Sequence, residues 1–231
     1  MLVSIARIFQ ALSVALPVAL LSVILGGCNI VGPAVVLIHG PEKQAAQFDP
    51  PAERPTVVFI DDRRNWLDRR ALRNTIARTA SDELLKAGAI KTVIDPKSAL
   101  TRVSGEQESG PVDLATLGAS VGAEVLIFAT VDEFTLSRDG ATFQPTARLR
   151  VKVIDCVNKP ARLWPDDTKP DGYLLEVVLP YKQGTSPKNG NEYMQAQERL
   201  AKSTGEDLAK LFYKHVIQQR VSDLNDRKKQ S

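Results

Sequence analysis

The pattern of apolar and polar positions changes several times along the chain. Ala11 to Leu25 is an uncharged apolar run broken only by Ser13, Pro17 and Ser22. Residues 29–55 hold Pro33, Pro41, Pro50, Pro51 and Pro55 with little apolar periodicity after Ile38, the composition of a semi-extended spacer. A folded domain is expected from Thr56. Val57 to Ile60 reads as a short buried strand ending at Asp61-Asp62. Leu72, Ile76, Leu84 and Leu85 recur at helical spacing, predicting a helix capped by Asp68 and stopped by Gly88. Thr92 to Ile94 is a second short strand, closed by Asp95-Pro96. A polar loop over 104–111 precedes a short helix from Asp113 to Val121.

Glu124 to Leu136 is a long β-rich run, followed by a turn at Ser137 to Gly140. From Thr146 to Cys156 the alternation has period two. Ala147, Leu149, Val151 and Val153 face one way and Arg148, Arg150 and Lys152 the other, as in a half-buried antiparallel strand. Arg162 to Trp164 and Tyr173 to Leu179 are further strands. A polar loop covers 183–191, and a last helix runs from about Glu192 to Gln219 with Leu200, Leu208, Leu211, Phe212 and Val216 on its apolar face. The order β-α-β-α-β-β-β-β-α predicts an α+β fold: one mainly antiparallel sheet, two βα units at its start, and helices packed on it. The domain spans 56–220, and 221–231 is a charged tail.

Charge alters this picture little. A net +3 over 231 residues gives no case for nucleic acid. The N-terminus matters more. Arg7, the apolar run, then Leu25-Gly26-Gly27-Cys28 have the layout of a secretory signal over 1–27. Those four residues resemble the lipobox of bacterial lipoproteins. The resemblance implies cleavage before Cys28, a thioether-linked diacylglyceryl group on its sulfur, and an acyl chain such as palmitate on its freed amine. Each buried CH₂ contributes roughly 0.8 kcal/mol to anchoring. Residues 28–55 are then anchor and tether, and Asn29 after the Cys implies the outer membrane, facing the periplasm. With Cys28 modified, Cys156 has no partner for an intramolecular disulfide.

Within the domain, Val57 to Asp62, Asp68 to Gly88, Gly122-Ala123-Glu124, Val125 to Phe134, Arg148 to Asp155 and Leu163-Trp164 follow an order similar to the domain shared by LpoB, CsgG and the N-terminal part of TolB. That resemblance implies a non-enzymatic envelope protein acting by contact with a partner, as an accessory or scaffold of an envelope complex such as cell-wall synthesis or secretion machinery. A homo-oligomer is compatible with it. A pore would need membrane strands of about 9–11 residues, and Tyr173 to Leu179 is too short.

An enzyme reading rests on Gly118-Ala119-Ser120-Val121-Gly122, which matches G-x-S-x-G, with Val35 to Gly40 resembling the strand and oxyanion turn of α/β-hydrolases and His215 downstream as the base. A nucleophile elbow follows a strand and opens a helix, whereas Ser120 ends a helical segment and precedes a strand, so Ser120 is a weak nucleophile candidate. Two distant histidines and a lone thiol lack metal-ligand spacing, and Asp61-Asp62 and Asp166-Asp167 are adjacent carboxylates that point apart. No cofactor is expected. The remaining candidate is basic: Arg63, Arg64, Arg69, Arg70, Arg73 and Arg78 fall within sixteen residues around the start of the first helix. Cations there oppose the helix dipole. They, or the Arg148, Arg150 and Lys152 face, are expected to meet an acidic partner or an anionic surface.

Overall fold

The computed structural model describes residues 43–98, 113–158, 161–180 and 186–216. The signal segment, Cys28, His39, the Pro-rich stretch up to residue 42, the 104–111 loop, residues 183–185 and the charged tail lie outside the described residues. The chain divides after Lys43, and the unit Gln44–Ser231 holds the sheet and helices.

The strands are β1 (Lys43–Gln44), β2 (Thr56–Asp61), β3 (Val125–Thr135), β4 (Thr146–Asp155), β5 (Arg162–Trp164), β6 (Tyr173–Val178) and β7 (His215–Val216). The helices are α1 (Ala71–Lys86), α2 (Leu114–Ser120) and α3 (Gly190–Lys210). The main sheet has the order β2-β3-β4, with β5 and β6 both pairing with β4, and β1 pairs with β7 separately. Only β2 and β3 run parallel, in the register Thr56↔Val125 to Asp61↔Thr130; the other pairs of the main sheet are antiparallel. The architecture is α+β with helices on a mainly antiparallel sheet.

One sheet face is apolar from end to end. Val58, Ile60, Ile127, Ala129, Leu149, Val151, Val153 and Val177 form a core with Leu72, Ile76 and Leu84 of α1 and Leu200 and Leu208 of α3. The two helices approach closely at Gly205, where an added Cβ would sit 2.6 Å from the Ile76 carbonyl oxygen. The other face is apolar only at one end. There Val57, Leu126 and Ile154 meet Leu117 of α2, and Phe59 stacks on Phe128 with centroids 5.9 Å apart. Farther along, that face carries Arg148 and Arg150 of β4, with Glu133 of β3 and Glu176 of β6 beside Arg148.

Both early helices end on glycine. Gly88 (φ +69°) and Gly122 (φ +81°) take the left-handed conformation, and the amides that follow, Ala89 and Ala123, reach back to the carbonyls of Leu84 and Gly118. The alternation expected of β4 is present in its burial.

Other expectations differ. The helix expected from Asp68 starts at Ala71, and its N-cap, Arg70, makes no side-chain capping bond; Asp68 is bonded to α3 instead. Leu85 is exposed, because it lies just beyond the edge of the strip formed by Leu72, Ile76, Ala77, Ala80, Ser81 and Leu84. The strand expected at Thr92 to Ile94 is a single parallel bridge, Thr56↔Val93. The last helix stops at Lys210, and Val216 lies exposed on β7.

The composition-based tether is also shorter than expected, because residues 44–55 pack on the domain. The Gln47 and Phe48 amides donate to the Leu211 carbonyl, and Phe48 stacks on Trp164. The Pro55 carbonyl accepts from the amides of Glu124 and Val125. Arg54 forks onto Asp155 at 2.9 and 2.7 Å and reaches Glu124 at 3.0 Å.

Candidate interaction surface

The arginine-rich stretch is a turn between β2 and α1, organised by one carboxylate. Asp62 is 1% exposed. Its two oxygens accept from the Trp66 amide at 2.8 Å and the Leu67 amide at 3.1 Å, while its backbone carbonyl accepts from Asn65 at 3.2 Å and from the Arg73 guanidinium at 2.9 Å. Asn65 takes φ +54°, which turns the chain so that Leu67 enters the core and Trp66 points out. Burying a carboxylate is unfavourable unless hydrogen bonds satisfy it, and here those bonds fix a surface loop.

A second set of bonds ties this loop to the start of α3. Asp68 Oδ2 accepts from Gln197 Nε2 at 2.6 Å and from the Tyr193 hydroxyl at 3.4 Å. Arg69 donates to Gln197 Oε1 at 3.2 Å and to the Met194 carbonyl at 3.1 Å. Asn189 caps α3 by accepting from the Glu192 amide, so both sides of this junction are held. Three large side chains are left in solvent on the joined segments: Trp66 at 41% exposure, Tyr193 at 44% and Met194 at 42%. Burial raises the Tyr193 pKa, and Asp68 beside it adds to the shift.

The arginines divide into two groups. Arg69 and Arg73 serve the fold, the first bonded to α3 and the second to Asp62. Arg63 is exposed and pairs with Asp61 at 3.0 Å. Burial raises the Asp61 pKa, with Arg63 and Arg73 acting against it. Arg64, Arg70 and Arg78 are exposed without a hydrogen-bond or ion-pair partner among the described residues. The structure therefore brings Arg63, Arg64 and Arg70 onto one loop with Trp66, while Arg69 and Arg73 are consumed by internal bonds. Trp66, Tyr193 and Met194 were not singled out by sequence. Trp66 inside a run of arginines was the available signal; Tyr193 and Met194, over 120 residues away, gave none.

The other basic face is largely neutralised. Arg150 pairs with Asp132 at 2.6 Å and Asp171 at 3.2 Å, and Arg148 lies 3.8 Å from Glu133 and 3.7 Å from Glu176. Lys152 has its pKa lowered by burial and by Arg162.

The Ser120 hydroxyl donates to the Leu117 carbonyl at 2.8 Å at the end of α2, ahead of β3. His215 is on β7, its Nδ1 3.1 Å from the Tyr213 carbonyl oxygen. Burial pushes the Cys156 thiol up to about 11. Among the described residues no three His, Cys, Asp or Glu side chains cluster as a metal site, and no helix is long and apolar enough to cross a membrane.

No family model and no curated protein matches the chain. Solved structures similar to it include the PelC dodecamer from Paraburkholderia phytofirmans, 14% identical, covering 74% of this chain and 96% of that one at a TM-score of 0.38. Lipoprotein GNA1162 from Neisseria meningitidis is 14% identical over 65% of this chain and 94% of its own, with a TM-score of 0.34. Protein XCC0632 from Xanthomonas campestris, of the DUF330 family, is 10% identical over 81% and 97%, with a TM-score of 0.42. At these scores the overlap is loose, and the likenesses establish neither a family nor a function for this chain.

Proposed function

We propose that this chain is a lipid-anchored envelope protein, held through Cys28, that works by contact with a partner protein rather than by catalysis. One observation carries the reading: a buried carboxylate, Asp62, is spent on holding an exposed tryptophan on a rigid loop. Exposed Trp and Tyr beside Arg is the composition of interface hot spots, and a fixed loop lowers the ordering entropy of binding. The order of elements, read from sequence as similar to the LpoB, CsgG and TolB N-terminal group, supports the same role. Catalysis by Ser120 is disfavoured by its place at the end of a helix that leads into a strand, the reverse of a nucleophile elbow.

The test is in-cell cross-linking and affinity purification of the full chain, comparing wild type, Cys28→Ala and Trp66→Ala. A protein enriched with wild type and lost with Trp66→Ala, at unchanged melting temperature, is the expected outcome. Identical co-purifying proteins in all three would sink the contact reading. Intact mass of the membrane form checks the anchor, and retention of residues 1–27 with an unmodified Cys28 would remove it. Labelling of Ser120 by a fluorophosphonate would overturn the non-catalytic assignment.

A further inference from the structure

We infer that the Trp66 surface takes an acidic segment of the partner protein, one that also offers an apolar side chain. The inference rests on the contact reading above and names the chemistry of that contact. Arg64 and Arg70 project exposed guanidinium groups with no partner among the described residues, and Arg63 is held only by Asp61 at 70% side-chain exposure. A guanidinium is a rigid fork of donors that matches a carboxylate bidentately. Trp66 on this loop, and Tyr193 and Met194 on the segment bonded to it through Asp68 and Arg69, offer exposed apolar surface for one side chain of the partner.

A lipid surface fits less well. From Asp61 to Arg70 the chain holds four arginines (63, 64, 69, 70) and three aspartates (61, 62, 68), a net of 4 − 3 = +1. Glu192, in the first turn of α3, is offset by the exposed Lys188, whose amide donates to its carboxylate, so the net stays at +1. Anionic bilayers attract through a summed field, about 1 kcal/mol per basic residue near the surface, and a net of +1 supplies little of it. Fork-to-carboxylate bonding is short-ranged and survives such cancellation. Position agrees: Met194 is at the start of α3, and the chain joins the domain through Gln47 and Phe48 at Leu211, about 25 Å away along the helix.

The test places a benzoylphenylalanine photo-cross-linker at Trp66 or Tyr193 of the full chain in cells, with Leu85 on the far end of α1 as control, and identifies the adduct by mass spectrometry. The expected adduct forms at the first two positions only, on a peptide of another protein with acidic residues next to the linked site. Its yield should fall about tenfold in the Arg64→Glu/Arg70→Glu variant and return when those acidic residues of the partner are changed to lysine. Both arginines are exposed, so circular dichroism should show an unchanged fold. An adduct on a non-acidic protein segment, or one insensitive to charge reversal, overturns the inference and leaves the contact reading standing. An adduct on lipid, or on a second copy of this chain, also overturns it. Equal adducts at Leu85, or none at Trp66 and Tyr193, overturn both.

Discussion

Asp62 shows how one side chain can govern a surface. It accepts the Trp66 and Leu67 amides while nearly fully buried, and Arg73 partners it from α1. Asp62→Ala leaves the Trp66 and Leu67 amides without their acceptor and removes the carboxylate near Arg73, which keeps its bond to the backbone carbonyl, so a loss of about 3 kcal/mol is expected by urea denaturation. Asp62→Asn keeps one acceptor oxygen and should lose less. Iodide quenching of Trp66 fluorescence, read against the half-buried Trp164, should change in Asp62→Ala even well below the unfolding midpoint. An unchanged quenching constant would mean that the loop is held by Leu67 alone. The aspartate pair was legible in sequence as a turn, since a short apolar strand stops there. Which of the two carboxylates is buried was not, because that depends on where Arg73 arrives from α1.

At the scale of elements, the packing of α1 against α3 depends on Gly205. Its missing Cβ would lie 2.6 Å from the Ile76 carbonyl oxygen and 2.7 Å from Thr79 Cβ. In an exposed helix Gly→Ala stabilises by nearly 1 kcal/mol, but here overpacking of about 1–3 kcal/mol opposes it. Gly205→Ala is therefore expected to destabilise the domain, and Gly205→Val more so, with the midpoint of denaturation as the readout. A more stable Gly205→Ala would show that the helices separate at little cost. The elements themselves were largely legible: α2, β3, β4, β5 and β6 lie within a residue or two of their sequence boundaries, because periodicity and glycine stops are local signals. The start of α1 was not, because Asp68 looks like a cap until Gln197, far along the chain, takes its carboxylate. The end of α3 was misjudged because Leu211 and Phe212 continue the apolar pattern while being buried beyond the last turn.

For the whole molecule, Arg54 fastens the segment leading into β2 onto the far end of β4. Its fork on Asp155 holds that carboxyl well below the usual range, with the Asn158 and Val157 amides adding to the effect. A depressed carboxylate pKa contributes stability that is present above the ordinary value of about 3.9 and is lost as pH falls through the folded value. Arg54→Ala should thus cost about 2 kcal/mol, constant from about pH 5 to 8, and the gap to wild type should narrow below about pH 4. A gap that persists undiminished in acid would assign the effect to packing of the arginine stem. The sequence by itself determined the signal-like N-terminus, the order of the five main-sheet strands and three helices, and the α+β class, because each is carried by neighbouring residues or short periods. Only the tertiary structure decided that residues 44–55 belong to the domain, that Arg69 and Arg73 are spent on internal bonds, and that the Trp66 loop is bonded to the segment carrying Tyr193 and Met194. Apart from the Arg73–Asp62 bond, those facts arise from contacts between segments 70 or more residues apart, which no local pattern encodes.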